Sequence, residues 1–393
     1  MTTESRIAEL KRRVQQEVET RRQELIDLSL RIHASPELAF KEEQAAALLS
    51  DYLERDGFRV ERGICSLATA FRASAGEGKP VIGLLAEYDA LPGLGHGCGH
   101  NIIGTASTAA GIAVKTVLSE TGGTIAVIGT PAEEVYGGKI IMAERGAFAD
   151  LDCAMLAHPG AAEIASTSAL ALAELEVEYF GRAAHAAARP EDGVNALDAL
   201  IIAYNAISAL RQHIRSSARV HGIITDGGKA PNIVPDHAAA SFLVRAEEDG
   251  YLEELKERVL ACFRAGAQAT GARLEYRWAG LQYAAMQSNA PLAEAYRRNM
   301  ESLGRTVRPA GGPPVFSTDM GNVSAIVPAI HPLVAIAPPD VALHTAEFAV
   351  YAASEDGHRG LIDAAKSLAM TAVDFLVDSD LRRQVQQAFY GGE

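Results

Sequence analysis

The apolar run VIGLLA at residues 81–86 constrains this chain more than any other segment. Six residues without polar alternation fit a strand covered on both faces, as in a parallel sheet flanked by helices. The run leads straight into EYDALPGLGHGCGHN at residues 87–101, which is polar and rich in glycine. In a sheet of that kind, ligands and catalytic side chains gather just beyond the carboxyl ends of the strands. Asp89, His96, Cys98 and His100 fall in that position. A small-residue helix, Ile102 to Leu118, is expected directly after them.

The rest of the chain follows the same grammar, with one interruption. The first thirty residues read as one amphipathic helix, with Ile7, Leu10, Val14, Val18 and Leu25 recurring at near-helical intervals. A helix at Glu42–Glu54 and a strand near Phe58–Arg62 lead to the run at 81–86. Strand Thr124–Gly129, a helix near Gly138–Glu144 and strand Cys153–Ala157 complete a β-α-β-α-β order. After Ser166 the pattern changes to strands with one wet face, starting at Leu175–Tyr179. Helix Val194–Ile214, strands Val220–Thr225 and Ala238–Ala246, helix Tyr251–Gly266 and strand Arg273–Trp278 then give the order of a split βαβ sandwich. From about Asn289 the first style resumes, ending in strand Leu333–Ala337 and helix Gly357–Leu376. The expected architecture is an α/β domain with a mostly parallel, helix-covered sheet (1–167 and 285–393), interrupted by an inserted α+β domain (168–284).

Bulk properties exclude several classes of function. The chain has 393 residues, more than the roughly 250–300 that one core supports. Its net charge of −14 works against a polyanionic partner such as nucleic acid. No segment has the run of about eighteen apolar residues that a membrane span requires. The N-terminus is polar, without an apolar signal core. Cys65, Cys98, Cys153 and Cys262 show no paired spacing and read as reduced thiols, so a cytoplasmic location is expected.

Three consecutive strand ends carry chemistry-bearing residues: Cys98 and His100, then Glu133 and Glu134 in TPAEE, then His158 before Pro159. A parallel sheet brings such ends to one edge. Thiolate, imidazole and carboxylate together suit Zn²⁺ and are compatible with Mn²⁺ or Co²⁺. Adjacent glutamates repel one another. A cation beside Glu134 relieves that repulsion and leaves Glu133 able to take a proton from water. A hydrolase using Cys98 as nucleophile, with His100 as base, is a competing reading, but it gives the two glutamates no role. A third reading is a two-domain protein that binds amino-acid-like ligands without cleaving them. Such a binder would be expected to have lost the base or a ligand, and here every position is filled.

The segments AEYDALPGLGHGCGHN, GTPAEE, LAHPG, GRAAHAA, APNIVPD and ALHTAEF are spread in this order over nearly the whole chain. Together they resemble the aminoacylase and carboxypeptidase G family of metallopeptidases. The likeness is to its amidohydrolase branch, which includes aminobenzoyl-glutamate hydrolases and Xaa-Arg or β-alanyl-lysine dipeptidases. The resemblance implies a catalytic α/β domain with an inserted lid that also dimerises, and two divalent metal ions, with thiolate ligation favouring zinc. It implies Cys98, His100, Glu134, His158 and the distant His344 as ligands, and Glu133 as general base. Asp89 matches the acid of the family's His-x-Asp motif, whose histidine is replaced here by Glu87. His185 matches a histidine that reaches across the dimer to the substrate carbonyl, where an imidazole N–H would stabilise a tetrahedral intermediate. Asn232 matches a contact to the substrate carboxylate. Arg245, at the end of a strand of the inserted domain, offers a planar fork for a carboxylate, and equally a structural ion pair. The glycine-rich stretch 310–321, with Ser317, Thr318 and Asp319, resembles a substrate-side loop. The expected activity is metal-dependent hydrolysis of the amide bond in an N-acyl amino acid or a dipeptide, by a homodimer joined through the inserted domain.

Overall fold

Every residue of Val81–Ala86 is buried, and the strand lies inside a six-stranded sheet. The structure, a computed structural model, describes residues 3–308 and 316–391. It falls into two units. The first comprises Met1–Ser168, Met286–Gly312 and Thr318–Glu393, and the second Ala169–Ala285 with Pro313–Ser317.

In the first unit the sheet order is Arg59–Arg62, Phe71–Glu77, Gly123–Gly129, Val81–Ala86, Cys153–Met155, Ala329–Ile330. The last four strands are mutually parallel, as the unalternating apolar runs predict. The first two are antiparallel additions, which make the sheet mixed. Phe71–Glu77 is rich in Ala, Ser and Gly and carries no β-branched residue, so its sequence gives little strand signal. The helix after the cysteine spans His100–Lys115 and is buried on all sides as far as Val114. It lies close to the sheet because Gly111 faces Val127. A Cβ at that glycine would stand 2.4 Å from Val127 Cγ2. Helix Glu355–Val377 packs along it, and helix Thr3–Thr20 packs against both. The single N-terminal helix expected from periodicity is two helices, Thr3–Thr20 and Arg22–Ala34. The break falls at Arg21, whose guanidinium bonds Glu17 at 2.6 Å and Asp56 at 2.7 Å. Both apolar stripes remain in the core, with Leu10, Val14, Val18, Leu25 and Leu28 all buried. Each such side chain contributes about 1.5–3 kcal/mol on burial.

The second unit is a four-stranded antiparallel sheet in the order Arg273–Trp278, Ala171–Phe180, His237–Ala246, Arg219–Asp226. Helices Ala196–Leu210 and Asp249–Thr270 pack on it. Burial alternates along Ala171–Phe180, so the period-2 pattern has one covered face. Phe242 and Phe263 meet edge to face at 5.2 Å in its core. The first helix begins at Ala196 rather than Val194 because the Asn195 side chain accepts the N–H groups of Leu197 and Asp198. Among the described residues no helix is long and apolar enough to cross a membrane.

Candidate metal centre and active site

The carboxyl ends of the three central parallel strands bring the predicted ligands together. Cys98 and His100 flank Gly99, whose φ of 79° and close approach to Pro159 leave no room for a side chain. That left-handed residue turns the chain so that His100 opens the helix while Cys98 Sγ points at His158 Nε2, 3.4 Å away. Three groups form among the described residues, with donor atoms within 4.8 Å of one another: Cys98–His100–His158, Cys98–Glu134–His344 and His100–Glu133–Glu134. Cys98, His100 and Glu134 each belong to two of them, so the groups are neighbouring parts of one centre. His344 arrives from far along the chain with φ 63°. Its backbone N–H bonds the Gly97 carbonyl at 2.9 Å, and its Nε2 lies 3.5 Å from Glu134 Oε2.

Hydrogen bonds settle which nitrogen each ring offers. His100 Nδ1 lies 2.9 Å from Asp89 Oδ1 and His158 Nδ1 lies 2.6 Å from the Pro159 carbonyl. Both rings therefore present Nε2 to the centre. Asp89 Oδ2 also accepts the Glu134 backbone N–H at 2.9 Å, so one carboxylate fixes two prospective ligands. His100 Nε2 and Glu134 Oε1 are buried 3.6 Å apart, and neither has a hydrogen-bond partner among the described residues. Unpaired buried polar atoms are costly, and a shared cation would satisfy both.

Charge supports the same fit. Glu87, Asp89, Glu133, Glu134 and Asp319 crowd one region with Cys98, and Lys139 is the ammonium buried among them. Lys139 Nζ stands 2.6 Å from Glu87 Oε1 and 2.7 Å from Asp319 Oδ1. Five carboxyl groups and a thiol share that single ammonium, a donor-rich surrounding that suits divalent ions. Burial pushes the Glu133 carboxyl well up, and Glu87 and Asp319 push it further. Burial opposes a charge on His100, but Asp89 and Cys98 outweigh it and raise its pKa. Burial, helped by His100, lowers His158 to about 4, which keeps it a neutral donor. Burial also pushes the Cys98 thiol up, unlike the exposed, low-pKa thiol of a cysteine nucleophile.

Two features flagged in the sequence take other places than a strand-end ligand or an open loop. His96 is a core histidine whose Nε2 lies 3.2 Å from the Ile32 carbonyl. The stretch 310–321 lies outside the described residues as far as residue 315. Beyond it, Asp319 is fully buried against Lys139 rather than displayed on a loop. Lys139 and Glu42, another buried carboxylate, gave no sequence signal. A lone lysine after two glycines and a glutamate in a charged run both read as surface residues.

In the second unit, His185 pairs with Ile233 in a β-bridge, and the Asn232 carbonyl accepts the Ala186 N–H at 3.0 Å, so His185 and Asn232 sit together. His185 is exposed, and its Nδ1 accepts the N–H groups of Ala187 and Ala188 at 3.3 and 3.2 Å. The ring proton is thereby placed on Nε2. Arg245 lies at the other end of strand His237–Ala246, opposite Leu172 and Arg219, and its Nη1 donates to Ser317 Oγ at 3.1 Å. Its buried Nε has no hydrogen-bond partner among the described residues.

A family model described as a peptidase dimerisation domain matches residues 168–270. The chain is 37% identical over 397 residues to the Xaa-Arg dipeptidase of Mus musculus, covering 97% of this chain and 92% of that protein. It is 33% identical over 457 residues to one of the two subunits of the p-aminobenzoyl-glutamate hydrolase of Escherichia coli, covering 96% and 94%. Its fold matches a dinuclear metal-binding peptidase of Bacillus subtilis with a TM-score of 0.73 at 21% identity, over 91% of this chain and 99% of that one. A Staphylococcus aureus aminohydrolase structure superposes with a TM-score of 0.80 at 17% identity, over 93% and 100%. The chain belongs to the M20 family of peptidases and amidohydrolases, close to its Xaa-Arg dipeptidase and aminobenzoyl-glutamate hydrolase members, and is a metal-dependent amidohydrolase.

Proposed function

We propose that the substrate is a dipeptide or N-acyl amino acid with a free carboxylate, and that Glu133 is the general base. The observation that carries this reading is the Glu133–Glu134 pair in one cluster with His100, the second glutamate turned to His100 and His344. Cys98, His100, Glu134, His158 and His344 would hold two divalent ions, and the thiolate favours zinc over manganese or cobalt. When bound, the ions supply Lewis-acid polarisation of the scissile carbonyl and acidify a water molecule.

Glu133 takes a proton from the attacking water as its oxygen bonds to the carbonyl carbon. It then delivers that proton to the amide nitrogen as the C–N bond breaks, releasing a carboxylic acid and an amine. Asp89 keeps the His100 ring and the Glu134 backbone in register through both.

In a homodimer formed through the inserted domain, the Nε2–H of His185 of the partner subunit would donate a hydrogen bond to the carbonyl oxygen as charge develops there. The two backbone N–H groups on Nδ1 support that role, because they fix the donor tautomer. Asn232 beside it would contact the substrate carboxylate. Arg245, at the other end of its strand, would serve a different part of the substrate.

The relatives divide the choice of leaving group. One is an Xaa-Arg dipeptidase and another a p-aminobenzoyl-glutamate hydrolase, so a basic and an acidic carboxyl-side residue are the two alternatives. Turnover of a panel of N-acyl amino acids and dipeptides by zinc- and manganese-loaded protein tests the reading. Hydrolysis of none of them, with full metal content, would refute it.

A further inference from the structure

The turn that carries Glu133 is held by a residue outside the cation centre. Ala132, directly before Glu133, is fully buried and has φ 63°, a left-handed conformation that a non-glycine residue keeps only when its surroundings impose it. Its N–H is held by Glu42, which is wholly buried. Glu42 Oε1 accepts the Ala132 N–H at 2.9 Å and the Phe40 N–H at 2.9 Å, while Oε2 accepts the Thr69 hydroxyl at 2.9 Å. Phe40 is itself left-handed, with φ 60°. One carboxylate oxygen thus ties together two non-glycine residues in this conformation, one two positions and the other ninety positions away from Glu42. The same loops are joined again where the Phe40 ring stacks on Tyr136 at 5.6 Å and 19°. Both oxygens of Glu42 are committed to these bonds, and Glu42 belongs to none of the candidate cation groups.

We propose that Glu42 is a positioning residue for the hydrolysis: by holding the Ala132 amide it sets the direction from which Glu133 reaches the attacking water. This rests on the reading of Glu133 as base. A carboxylate that only sealed the core would need no link to the residue before the base, and it would affect stability and turnover together. A positioning group affects turnover beyond its effect on stability.

The test compares four variants by kcat, KM, bound metal and melting temperature on the best substrate of the panel. Glu42→Ala should lower kcat about 10- to 100-fold, as expected for a base misplaced by about 1 Å, with KM and metal content nearly unchanged. Glu42→Gln keeps an amide oxygen for both N–H groups and should restore kcat to near the wild-type value. Ala132→Gly added to Glu42→Ala removes the left-handed strain and should recover melting temperature but not kcat. If Glu42→Ala does not fold, Glu42→Asp, which retracts the same carboxylate by one methylene, replaces it under the same criteria. Unchanged kcat in the alanine variant, loss of metal in parallel with activity, or kcat returning with stability in the double variant would each overturn the proposal. Glu133→Gln, measured alongside, separates the two failures: full activity there refutes the base and the positioning proposal with it, whereas an inactive Glu133→Gln beside an unimpaired Glu42→Ala overturns the Glu42 proposal alone.

Discussion

Asp89 Oδ1 accepts a hydrogen bond from His100 Nδ1 at 2.9 Å, deep inside the protein and beyond the reach of solvent. That contact leaves Nε2 as the nitrogen His100 can offer a cation and makes the ring a stronger donor. Asn in place of Asp89 would present an amide that competes for the wrong tautomer and would weaken the hold on Glu134. Asp89→Asn is therefore expected to lower metal affinity about 10- to 100-fold, measured by competition with a chromogenic chelator. Unchanged affinity would remove Asp89 from the site.

Glu133 and Glu134 are neighbours with different expected phenotypes. Glu134 is shared by two of the candidate groups, so Glu134→Gln should lose metal and activity together. Glu133→Gln should keep its metal and lower kcat about 10²- to 10⁴-fold, the usual scale for removing a general base. Metal analysis beside steady-state kinetics separates the two. The assignment fails if Glu133→Gln empties the centre.

Much of this arrangement could be read from the chain because the central strands are apolar without alternation, and a parallel sheet then gathers their ends on one edge. Cys98, His100, Glu133, Glu134 and His158 meet for that reason. His344 was not legible in this way. Its place depends on a left-handed residue and a bond to Gly97, and only the family resemblance pointed to it. The antiparallel strand Phe71–Glu77 was hidden because Ala, Ser and Gly have weak strand preference. The burial of Lys139, Asp319 and Glu42 was hidden for a different reason. Charged residues are read as surface by default, and only tertiary packing shows that these are buried against one another or against backbone N–H groups.

Removing the metal should change stability as well as rate. A ligand that binds only the folded state adds about 2.7 kcal/mol at a free concentration of about a hundred times its Kd. Chelated protein should accordingly melt lower, and melting temperature and activity should return together on adding Zn²⁺. Cys98→Ser should keep the fold, bind Zn²⁺ weakly and recover part of its activity in excess Mn²⁺, which prefers oxygen donors. A cysteine-nucleophile enzyme would ignore the chelator and would be inactive as Cys98→Ser with any metal.

The second unit carries its own pH dependence. His237 Nδ1 lies 2.7 Å from Asp226 and Nε2 lies 2.9 Å from Glu178, with the Phe180 ring alongside at 5.2 Å. Hydrogen bonds to Asp226 first and Glu178 second raise its pKa above the ordinary histidine value. A folded-state pKa above the unfolded one means that this stabilisation is complete below about pH 6.5 and is lost as pH rises through the raised value. In thermal melts from about pH 6 to 9, His237→Gln should narrow its deficit against wild type as pH rises. A deficit that is constant or grows would contradict the assignment.

Dimerisation can be tested together with the role of His185. Strand Arg219–Asp226 is an edge of its sheet and exposes Ile223 at 66% and Ile224 at 42%, while helix Ala196–Leu210 exposes Ile201 at 43%. An open edge with exposed apolar side chains is a surface that favours pairing. Lysine at positions 201 and 223 should produce a monomer by sedimentation equilibrium, folded but with little activity. If the histidine is supplied across the dimer, Glu133→Gln and His185→Ala homodimers are each nearly inactive yet complementary. Refolded together, about half of the dimers would be mixed, and each mixed dimer would hold one site with an intact Glu133 facing an intact His185 of the partner subunit. Activity should then return to about a quarter of wild type, the share expected from random exchange across a symmetric interface. No recovery, with exchange confirmed by a tag on one variant, would place His185 in the same subunit's site or outside the reaction.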